Sequence, residues 1–315
     1  MPQLLDAGHH VTVYDTLLFG DGWLPRDNSN LTVIKGDVRD ADAWAQACKD
    51  QEACIYFASI SRELLCQQRE AVANAVNVES FAPAVQIAYE QGIKRFIYAS
   101  SVAVYGYSDH DAKETDQLLP MTARQPIYGR GKIACERVLA ENYDSRQWCW
   151  TVTRSASVCG YSPRQRLDIT VNRMVHDAYR KGVITVEGGS QKRSHVHILD
   201  LCDFYLMLLR VHDDAIKGQT FNVVAQNQTV LETAEVVART MSGQVKRARN
   251  MPYINIVQAV DDRSYSVDGG KAKNELGFVP HRTIKQAVIE LKEHFDAGEW
   301  PDSMTNPLYQ NMADV

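Results

Sequence analysis

The sequence predicts an α/β protein built on a doubly wound parallel sheet, followed by a smaller second domain. Short apolar segments rich in β-branched and aromatic residues alternate with longer segments whose apolar residues recur at helical spacing. Such alternation is typical of βαβ units, in which helices cover both faces of a parallel sheet. A chain of 315 residues with 45% hydrophobic residues is also long enough for one large or two coupled domains.

The first half of the chain carries most of this alternation. The predicted strands are 10–15, 31–37, 53–59, 95–106 and 150–158. The predicted helices between them are 41–50, 69–91 and 131–143. Ahead of the first strand, LLDAG predicts the last turn of a helix that ends at Gly8.

The second half is less regular and predicts a discontinuous domain. The predicted helices are 164–181, 233–241 and 283–295, and the predicted strands are 194–198 and 220–224. We expect one domain to comprise residues 1–155 plus about 194–225, and the other about 156–193 and 226–315. The tail from Trp300 onward contains two prolines and several polar residues, and we expect it to be loose.

Composition narrows the classes of partner. Asp and Glu total 39 against 34 Lys and Arg, a formal net charge of −5, which gives no electrostatic case for nucleic acid or an anionic membrane. The seven cysteines are scattered without a Cys-x-x-Cys pair, which predicts neither a disulfide framework nor a zinc site and fits the cytoplasm. His195 and His197 alternate as metal ligands can, but no third ligand stands at a recognisable spacing, so we expect no metal.

Three residues are candidates for catalysis. Tyr128 and Lys132 are four residues apart at a predicted helix start and therefore share one face. A nearby ammonium stabilises a tyrosinate, which lets the phenol act as a base. Ser101 closes a predicted strand, where its hydroxyl could bridge a substrate oxygen and Tyr128, although such a serine can equally cap a tight turn. Asp15 also closes a strand, where a carboxylate can accept both hydroxyls of an adenosine ribose.

An ordered set of motifs resembles the extended short-chain dehydrogenase/reductases, in particular their nucleotide-sugar epimerases and dehydratases. The motifs are VTVYD, GDVRD, YFASIS, NVESF, YASSVAVYG, YGRGK, RSHVHILD and RSYSVDGGKAKNELGF, and they cover about residues 4 to 295. The resemblance implies a Rossmann-like domain, NAD as cofactor, a nucleotide-diphosphate sugar as substrate and a homodimer.

The resemblance also assigns roles to single positions. It implies Ser101, Tyr128 and Lys132 as the catalytic triad, with Tyr128 and Lys132 also contacting NAD. The other implied cofactor-binding residues are Asp15, Asp37, Val38, Phe57, Ala58, Asn77 and Ala156. The implied substrate-binding residues are Ser101, Ser157, Asn172, Arg193 and Arg263, whose arginines would hold the diphosphate. Arg164 and Arg166 receive no role.

Two departures from the family pattern stand out. The strand and glycine-rich turn that should precede the first helix are absent from the sequence, so we expect the chain to be part of a longer protein and to bind NAD poorly as it stands. Val102 and Ala103 follow Ser101 where family dehydratases carry an Asp-Glu pair and decarboxylases a Glu.

These observations favour an NAD-dependent nucleotide-sugar epimerase, acting at C4. Asp15 favours NAD over NADP because a carboxylate there repels a 2′-phosphate. The alternatives are a ketoreductase or dehydrogenase that releases its product after one hydride transfer, and a non-catalytic relative that binds a nucleotide sugar or a partner. The nucleotide base and the sugar are not specified by the sequence.

Overall fold

A parallel sheet forms the centre of the first half, as predicted, but it lies in two pieces. The computed structural model describes residues 1–121, 126–243, 251–258 and 263–311. One piece pairs β1 (Val11–Asp15) with β2 (Leu31–Lys35). The other has the order β10–β6–β4–β3 and contains β3 (Ala53–Tyr56), β4 (Arg95–Ser101), β6 (Cys149–Ser155) and β10 (Gln219–Val223). All pairings in both pieces are parallel, which confirms the doubly wound parallel class.

Helices connect these strands at the predicted places. They are α1 (Pro2–Asp6), α2 (Ala41–Cys48), α3 (Glu63–Gln68), α4 (Glu70–Asn74), α5 (Phe81–Glu90) and α6 (Ile127–Asn142). The long helix predicted over 69–91 is interrupted by a π-helical turn at Ala75–Glu79. Asp40 begins α2 by accepting a hydrogen bond from the Ala43 amide, which is the capping that a short polar side chain provides at a helix start.

The second half contains a separate small sheet, which pairs β9 with β7 and β11, and two two-stranded pairs. Its strands are β7 (Ser157–Cys159), β8 (Val183–Glu187), β9 (Lys192–His197), β11 (Gln226–Thr229), β12 (Tyr253–Val257) and β13 (Ser266–Val267). β13 pairs with β5 (Asp111–Ala112), which comes from the first half. Its helices are α7 (Thr170–Lys181), α8 (Ile198–Arg210), α9 (Val230–Gly243), α10 (Gly270–Leu276) and α11 (Ile284–Asp296).

The chain returns to the first sheet within the range predicted for this crossing. β10 adds to the edge of β6, and α8 packs on the same sheet through Phe204 and Leu208. The predicted strand at 194–198 exists as part of β9, but it pairs with β7 and β11 of the second half. α8 is a helix that the sequence pattern does not predict.

Several clusters of buried apolar side chains stabilise the two halves of the molecule. One covers one face of the first sheet and includes Trp44, Phe81 and Phe96, and another covers the opposite face with Phe204 and Phe221. A third forms between α7, α9 and α11 in the second half. Both faces of the four-stranded piece are therefore covered, as a parallel sheet requires.

Three predictions of local structure were wrong in part. The strand predicted over 95–106 ends at Ser101, because the Ser101 hydroxyl caps a 3₁₀ turn at Val102–Val104. The helix predicted over 164–181 begins only at Thr170. The tail from Trp300 is not loose through residue 311: Trp300 is 5% exposed, and the Leu167 amide bonds to the Tyr309 carbonyl at 2.8 Å. Burial of its aromatic side chains against α7 and α11 offsets the loss of conformational entropy when the tail is ordered.

All seven cysteines are unpaired in the structure. Within the described ranges, no helix has both the length and the apolar character needed to cross a bilayer.

Candidate active site

Ser101, Tyr128 and Lys132 come together at the carboxyl end of β4. Ser101 is the last residue of that strand, and Tyr128 and Lys132 lie one turn apart in the first turns of α6. The Ser101 side chain lies near enough to Tyr128 to favour ionisation of its phenol, and the Lys132 Nζ lies 5.6 Å from the centroid of the Tyr128 ring. The spacing in the sequence therefore translates into one cluster of hydroxyl, phenol and ammonium.

Two glycines near the start of α6 allow it to pack closely on its neighbours. A Cβ on Gly129 would stand 3.0 Å from the Ala103 carbonyl oxygen and 3.2 Å from Leu119 Cδ1. A Cβ on Gly131 would stand 3.3 Å from a methyl group of Val78. Gly129 thus allows close packing of α6 on the turn after β4, and Gly131 allows close packing on the π-helical turn.

The start of α6 is held by a residue that the sequence analysis did not identify. Glu63, the first residue of α3, accepts hydrogen bonds from the amides of Ile127 and Tyr128, each at 3.0 Å. Pro126 at the N-cap offers no side-chain acceptor, so Glu63 takes over that role from a distant part of the chain. No local signal links positions 63 and 127, and only the tertiary structure shows the contact.

Burial sets the ionisation of the Tyr128–Lys132 pair. Desolvation raises the pKa of Tyr128 to about 12, although the Ser101 side chain and the positive charge of Arg166 act in the opposite direction. Desolvation lowers the pKa of Lys132 to about 8, and its ammonium donates to the Ala99 carbonyl at 2.7 Å. In this structure the lysine therefore lies near the phenol, but the cost of burying a phenolate outweighs the stabilisation that the sequence led us to expect.

A buried polar network lies directly behind the pair. The Arg154 guanidinium bonds both carboxylate oxygens of Glu136, and Ser100 also donates to Glu136. Arg154 further donates to the Tyr105 hydroxyl at 2.9 Å, and Tyr105 bonds Asn222 at 2.8 Å. This network fixes α6 to β4, β6 and β10. It therefore fixes the position of Lys132, which lies one turn before Glu136.

The predicted adenosine-binding residues lie at the carboxyl ends of β1 and β2. The Asp15 carboxylate accepts only a short-range bond from the Leu17 amide at 2.7 Å, and its side chain is exposed. The Asp37 carboxylate is held by the Arg39 guanidinium, which lowers its pKa, while its carbonyl accepts a bond from the Tyr14 hydroxyl. Val38 packs against the cluster around Trp44.

The segment after β3 carries the next predicted cofactor residues. Phe57 is 56% exposed and meets Tyr205 edge to face, with Ala58 following at the same cavity wall. The Asn77 side chain is bound to the backbone of Ile60. Its Oδ1 accepts from the Ile60 amide at 2.7 Å, and its Nδ2 donates to the Ile60 carbonyl at 2.9 Å. Asn77 thereby holds the segment that contains Phe57 and Ala58, and direct contact of Asn77 with the dinucleotide stays a prediction.

Ala156 and Ser157 lie where the first sheet ends and the second begins. Ala156 is buried and bonds through its amide to the Val223 carbonyl at 3.0 Å. Ser157 pairs in register with His195 of β9. His195 and His197 lie in a strand, as predicted. His197 bonds Glu290 at 3.1 Å, and burial lowers the pKa of His195 to about 4.

The predicted diphosphate-binding residues differ in their surroundings. Arg193 lies over the Tyr265 ring at 5.3 Å and donates to the Arg263 carbonyl, so the structure brings the two arginines together. Asn172 instead clamps a loop: its Oδ1 accepts from the Gly160 amide at 3.1 Å, and its Nδ2 donates to the Arg166 carbonyl at 2.9 Å. Substrate contact by these three residues stays a prediction.

That loop places unassigned arginines beside the site. Arg166 bonds the Ser61 hydroxyl at 2.9 Å and forms an ion pair with Asp168 at 3.0 Å. Arg164 lies 3.9 Å over the Phe19 ring, and its pKa is lowered to about 10 by burial and by Arg166. The Asn172 clamp on residues 160–166 explains both the late start of α7 and the approach of Arg166 to Tyr128.

The described residues fit the two ends of a nicotinamide dinucleotide better than its middle. Asp15, Asp37 and Val38 offer an adenosine end, and Tyr128 and Lys132 a nicotinamide ribose end, where only one of the three Lys132 donors bonds the protein in the described ranges. Over those ranges, no glycine-rich strand-to-helix turn enters the cavity between β1 and β3 to bind a diphosphate.

Known proteins share both the sequence pattern and the fold. The model of the NAD dependent epimerase/dehydratase family matches residues 1–224. The chain is 25% identical over 309 residues to UDP-glucose 4-epimerase of Lacticaseibacillus casei, across 91% of this chain and 89% of that protein. It is 23% identical over 311 residues to dTDP-glucose 4,6-dehydratase of Streptomyces niveus, across 96% and 88% of the two chains.

Solved structures agree on the architecture. A dTDP-glucose 4,6-dehydratase from Streptomyces venezuelae with NAD bound has a TM-score of 0.80 at 21% identity, covering 96% of this chain and 95% of that one. A UDP-glucuronic acid 4-epimerase from Bacillus cereus, in complex with UDP-glucuronic acid and NAD, has a TM-score of 0.79 at 18% identity and 94% coverage of both chains. These values confirm the Rossmann-like fold, and NAD is the cofactor of the family that the sequence model matches. Because the family model matches more than two thirds of the chain, the chain belongs to the NAD-dependent epimerase/dehydratase family.

Proposed function

We propose that the chain interconverts a nucleotide-diphosphate sugar and its C4 epimer through a transient keto-sugar. The observation that carries this proposal is the cluster of Ser101, Tyr128 and Lys132 at the carboxyl end of β4. In an open α/β sheet, ligands bind outside the carboxyl ends of the strands. The cluster therefore lies where a substrate hydroxyl and a dinucleotide can meet.

Each residue of the cluster has a distinct role in this proposal. Tyr128, as the phenolate, takes the proton from the sugar hydroxyl, and Ser101 hydrogen-bonds the same oxygen. Lys132 stabilises the phenolate electrostatically and offers donors to the ribose hydroxyls. Bound NAD would supply the hydride chemistry, as acceptor from the sugar carbon and then as donor to the other face of the keto-sugar. When the hydride returns to the sugar carbon, the keto oxygen takes its proton back from Tyr128.

The ionisation of the free site makes the phenolate the scarce form. With a Tyr128 pKa of about 12 and a Lys132 pKa of about 8, the phenol holds its proton at neutral pH. The groups in the structure that favour its loss are the Ser101 hydroxyl and the Arg166 guanidinium. Loss of the Arg166 charge would therefore raise the pKa of Tyr128 and make the phenolate scarcer still.

The turn after Ser101 supports epimerisation over dehydration. Val102 and Ala103 lie in a buried 3₁₀ turn at the position of the Asp-Glu pair that the family resemblance attributes to dehydratases. Neither side chain can carry a proton. The nearby carboxylates of Glu63 and Asp168 are engaged, one with the α6 amides and the other with Arg166.

Two alternatives use the same cleft. A ketoreductase or dehydrogenase would need the same three residues but would release its product after one hydride transfer. A non-catalytic relative would bind the nucleotide sugar without turnover, and the missing diphosphate cradle among the described residues favours it. The first differs from an epimerase in the net conversion of added cofactor, and the second differs in forming no product.

The test is product analysis with several nucleotide sugars. The purified chain is incubated with NAD and, separately, UDP-glucose, UDP-glucuronic acid and dTDP-glucose, and products are separated by anion-exchange chromatography and identified by NMR. We expect one C4 epimer to accumulate to equilibrium without net reduction of cofactor. Net reduction would establish a dehydrogenase, and binding without any product would establish a binding protein. Tyr128→Phe is the inactive control, and Tyr253→Phe, at an exposed tyrosine of β12, is the matched active one.

A further inference from the structure

A short turn near residue 310 contacts both halves of the molecule. It is the 3₁₀ turn Pro307–Gln310, and together with the residue that follows it we call it the 307–311 turn. Three of its successive carbonyls accept hydrogen bonds: Leu308 from Arg164 at 3.3 Å, Tyr309 from the Leu167 amide at 2.8 Å, and Gln310 from Arg62 at 3.2 Å. Two of these donors belong to the loop before α7, residues 160–168, whereas the third immediately precedes α3 in the first half.

The second half holds this turn in place. Trp300 is buried in the cluster between α7, α9 and α11, and Tyr309 packs against the same cluster. Arg180 of α7 donates to the Trp300 carbonyl and, at 3.1 Å, to the Ser303 hydroxyl. The position of the turn is therefore set by α7 and α11, and its bond to Arg62 ties the first half to that position.

In the first half, three consecutive residues connect the turn to Tyr128. Ile60 belongs to the apolar cluster against which Tyr128 packs. The hydroxyl of Ser61 accepts a hydrogen bond from Arg166 at 2.9 Å, and Arg62 bonds the turn. A shift of this segment would therefore change the surroundings of the phenol and the position of Arg166 together.

One buried carboxylate is shared by two of the arginines in this region. Asp168, whose side chain is 4% exposed, pairs with Arg166 at 3.0 Å and with Arg62 at 3.8 Å. Arg164, on the same loop, also bonds the Asn311 side chain of the turn. Without Arg62, the Asp168 charge would be offset by Arg166 alone, and less of the positive charge of Arg166 would remain to act on other groups.

The charge of Arg166 matters because of the element on which it lies. The groups that act on the Tyr128 phenol come from several parts of the chain, namely Ser101 of β4, Cys66 of α3, Tyr265 next to β13 and Arg166 of the loop. Lys132 is fixed relative to Tyr128 because both belong to α6. Arg166 belongs to a different element, so its distance from the phenol depends on the contacts that hold the loop.

We propose that Arg62 and the 307–311 turn are positioning elements of the active site. Together they hold the 160–168 loop against Ser61 and so keep the Arg166 guanidinium beside Tyr128. They act through Arg166, whose positive charge favours the phenolate. This role rests on the proposed function only in that Tyr128 is the base.

The experiment releases the turn without changing a proposed catalytic residue. Arg62→Met removes the guanidinium that bonds Gln310 and pairs with Asp168, and it keeps an apolar side chain of similar reach. Arg62→Lys restores a cation at the same place. Arg146→Met, at an arginine whose side chain is 87% exposed, is the matched control. Asn311→Ala is a milder second variant, because it removes one contact between the turn and the loop.

Two measurements need neither cofactor nor turnover. Amide hydrogen exchange, followed by mass spectrometry, reports how well the 160–168 backbone is held. NMR of the chain with isotope-labelled tyrosine rings reports the surroundings of the Tyr128 phenol, and Tyr128→Phe assigns its signal. Steady-state kinetics with the nucleotide sugar that turns over then separate kcat from KM.

We expect the amides of the 160–168 loop to exchange about tenfold faster in Arg62→Met than in the parent chain, and the Tyr128 signal to move. kcat should fall by up to about tenfold with KM nearly unchanged, since one unit of Tyr128 pKa changes the phenolate fraction about tenfold. Arg62→Lys should recover most of this loss, and Asn311→Ala should change the same readouts in the same direction by less. Arg146→Met should match the parent chain throughout.

Three outcomes decide the matter. Unchanged exchange and an unchanged Tyr128 signal in both Arg62→Met and Asn311→Ala, with the circular dichroism of the parent chain, would overturn the proposal. A rise in KM at constant kcat would also overturn it, because Arg62 would then contact the substrate. If exchange and the Tyr128 signal change while even the parent chain turns over no nucleotide sugar, the positioning role is supported and the proposed function is contradicted.

Discussion

The two pieces of the central sheet differ sharply in burial although both are parallel. In the four-stranded piece, Phe96, Ile97 and Tyr98 of β4 are each no more than 2% exposed. In the two-stranded piece, every residue of β1 and β2 is half-buried or exposed. The same type of pairing thus gives a closed core in one place and an open ribbon in the other.

The difference lies in the number of neighbours. Within the described ranges, β4 has a strand on each side and helices on both faces, whereas β1 pairs only with β2. The catalytic candidates Ser101, Tyr128 and Lys132 lie on the closed piece, and the adenosine candidates Asp15 and Asp37 lie on the open one. The proposed chemistry therefore depends on the more deeply buried piece of the sheet, and the proposed adenosine contact depends on the more exposed one.

The largest effect is expected from Tyr128→Phe, which tests the closed piece. Turnover should fall by about 10²–10⁴-fold, because a general base contributes that much, while the melting temperature stays close to that of the parent chain. Initial rates and circular dichroism are the measurements. Retention of more than a few per cent of the activity would show that another group is the base.

A matched pair of substitutions measures the difference in burial directly. Ile97→Ala in β4 should cost about 2–5 kcal/mol of unfolding free energy, because Ile97 is fully buried. Ile34→Ala in half-buried β2 should cost less than half as much, because part of that side chain already contacts water. Urea unfolding gives both values. Equal losses of unfolding free energy would mean that the two pieces form one core, and would contradict the difference in burial drawn here between them.

Arg193→Ala and Arg263→Ala test the proposed diphosphate contact in the second half. Each should raise KM for the nucleotide sugar by roughly 10–100-fold with a smaller change in kcat, since a hydrogen bond to a charged group contributes about 1.5–3 kcal/mol. Arg146→Ala, at an exposed arginine that pairs with Asp144, is the matched control. Unchanged affinity for UDP in calorimetry, with the fold intact, would place the diphosphate elsewhere.

The smallest effect is expected in the pH dependence of kcat/KM, which follows from the burial of Tyr128 and Lys132. The active form needs Tyr128 ionised and Lys132 charged. Below the Lys132 pKa of about 8 the lysine is charged, so kcat/KM should rise about tenfold per pH unit as more phenol ionises. Above it, each gain in phenolate is matched by a loss of ammonium, so the profile should level off until the Tyr128 pKa of about 12. A rate that falls between about pH 6 and about pH 8 would contradict this order of the two pKa values.

The sequence predicted well wherever the signal was local. Alternation of apolar segments located β1–β4, β6 and β10, and the spacing of Tyr128 and Lys132 predicted their shared helix face. It failed where distant residues decide the outcome. The tail packs through Trp300 against α7 and α11, and the 160–166 loop stays non-helical because Asn172 binds its backbone.

The sequence by itself determined the fold class, the family and the identity of the three catalytic candidates, because periodicity and motif order are properties of neighbouring residues. Only the tertiary structure decided how those residues ionise, because the pKa values of Tyr128 and Lys132 depend on burial by distant elements. The same holds for the Glu63 cap on α6 and for the approach of Arg166 to Tyr128. These contacts join positions far apart in the chain, and no local pattern encodes them.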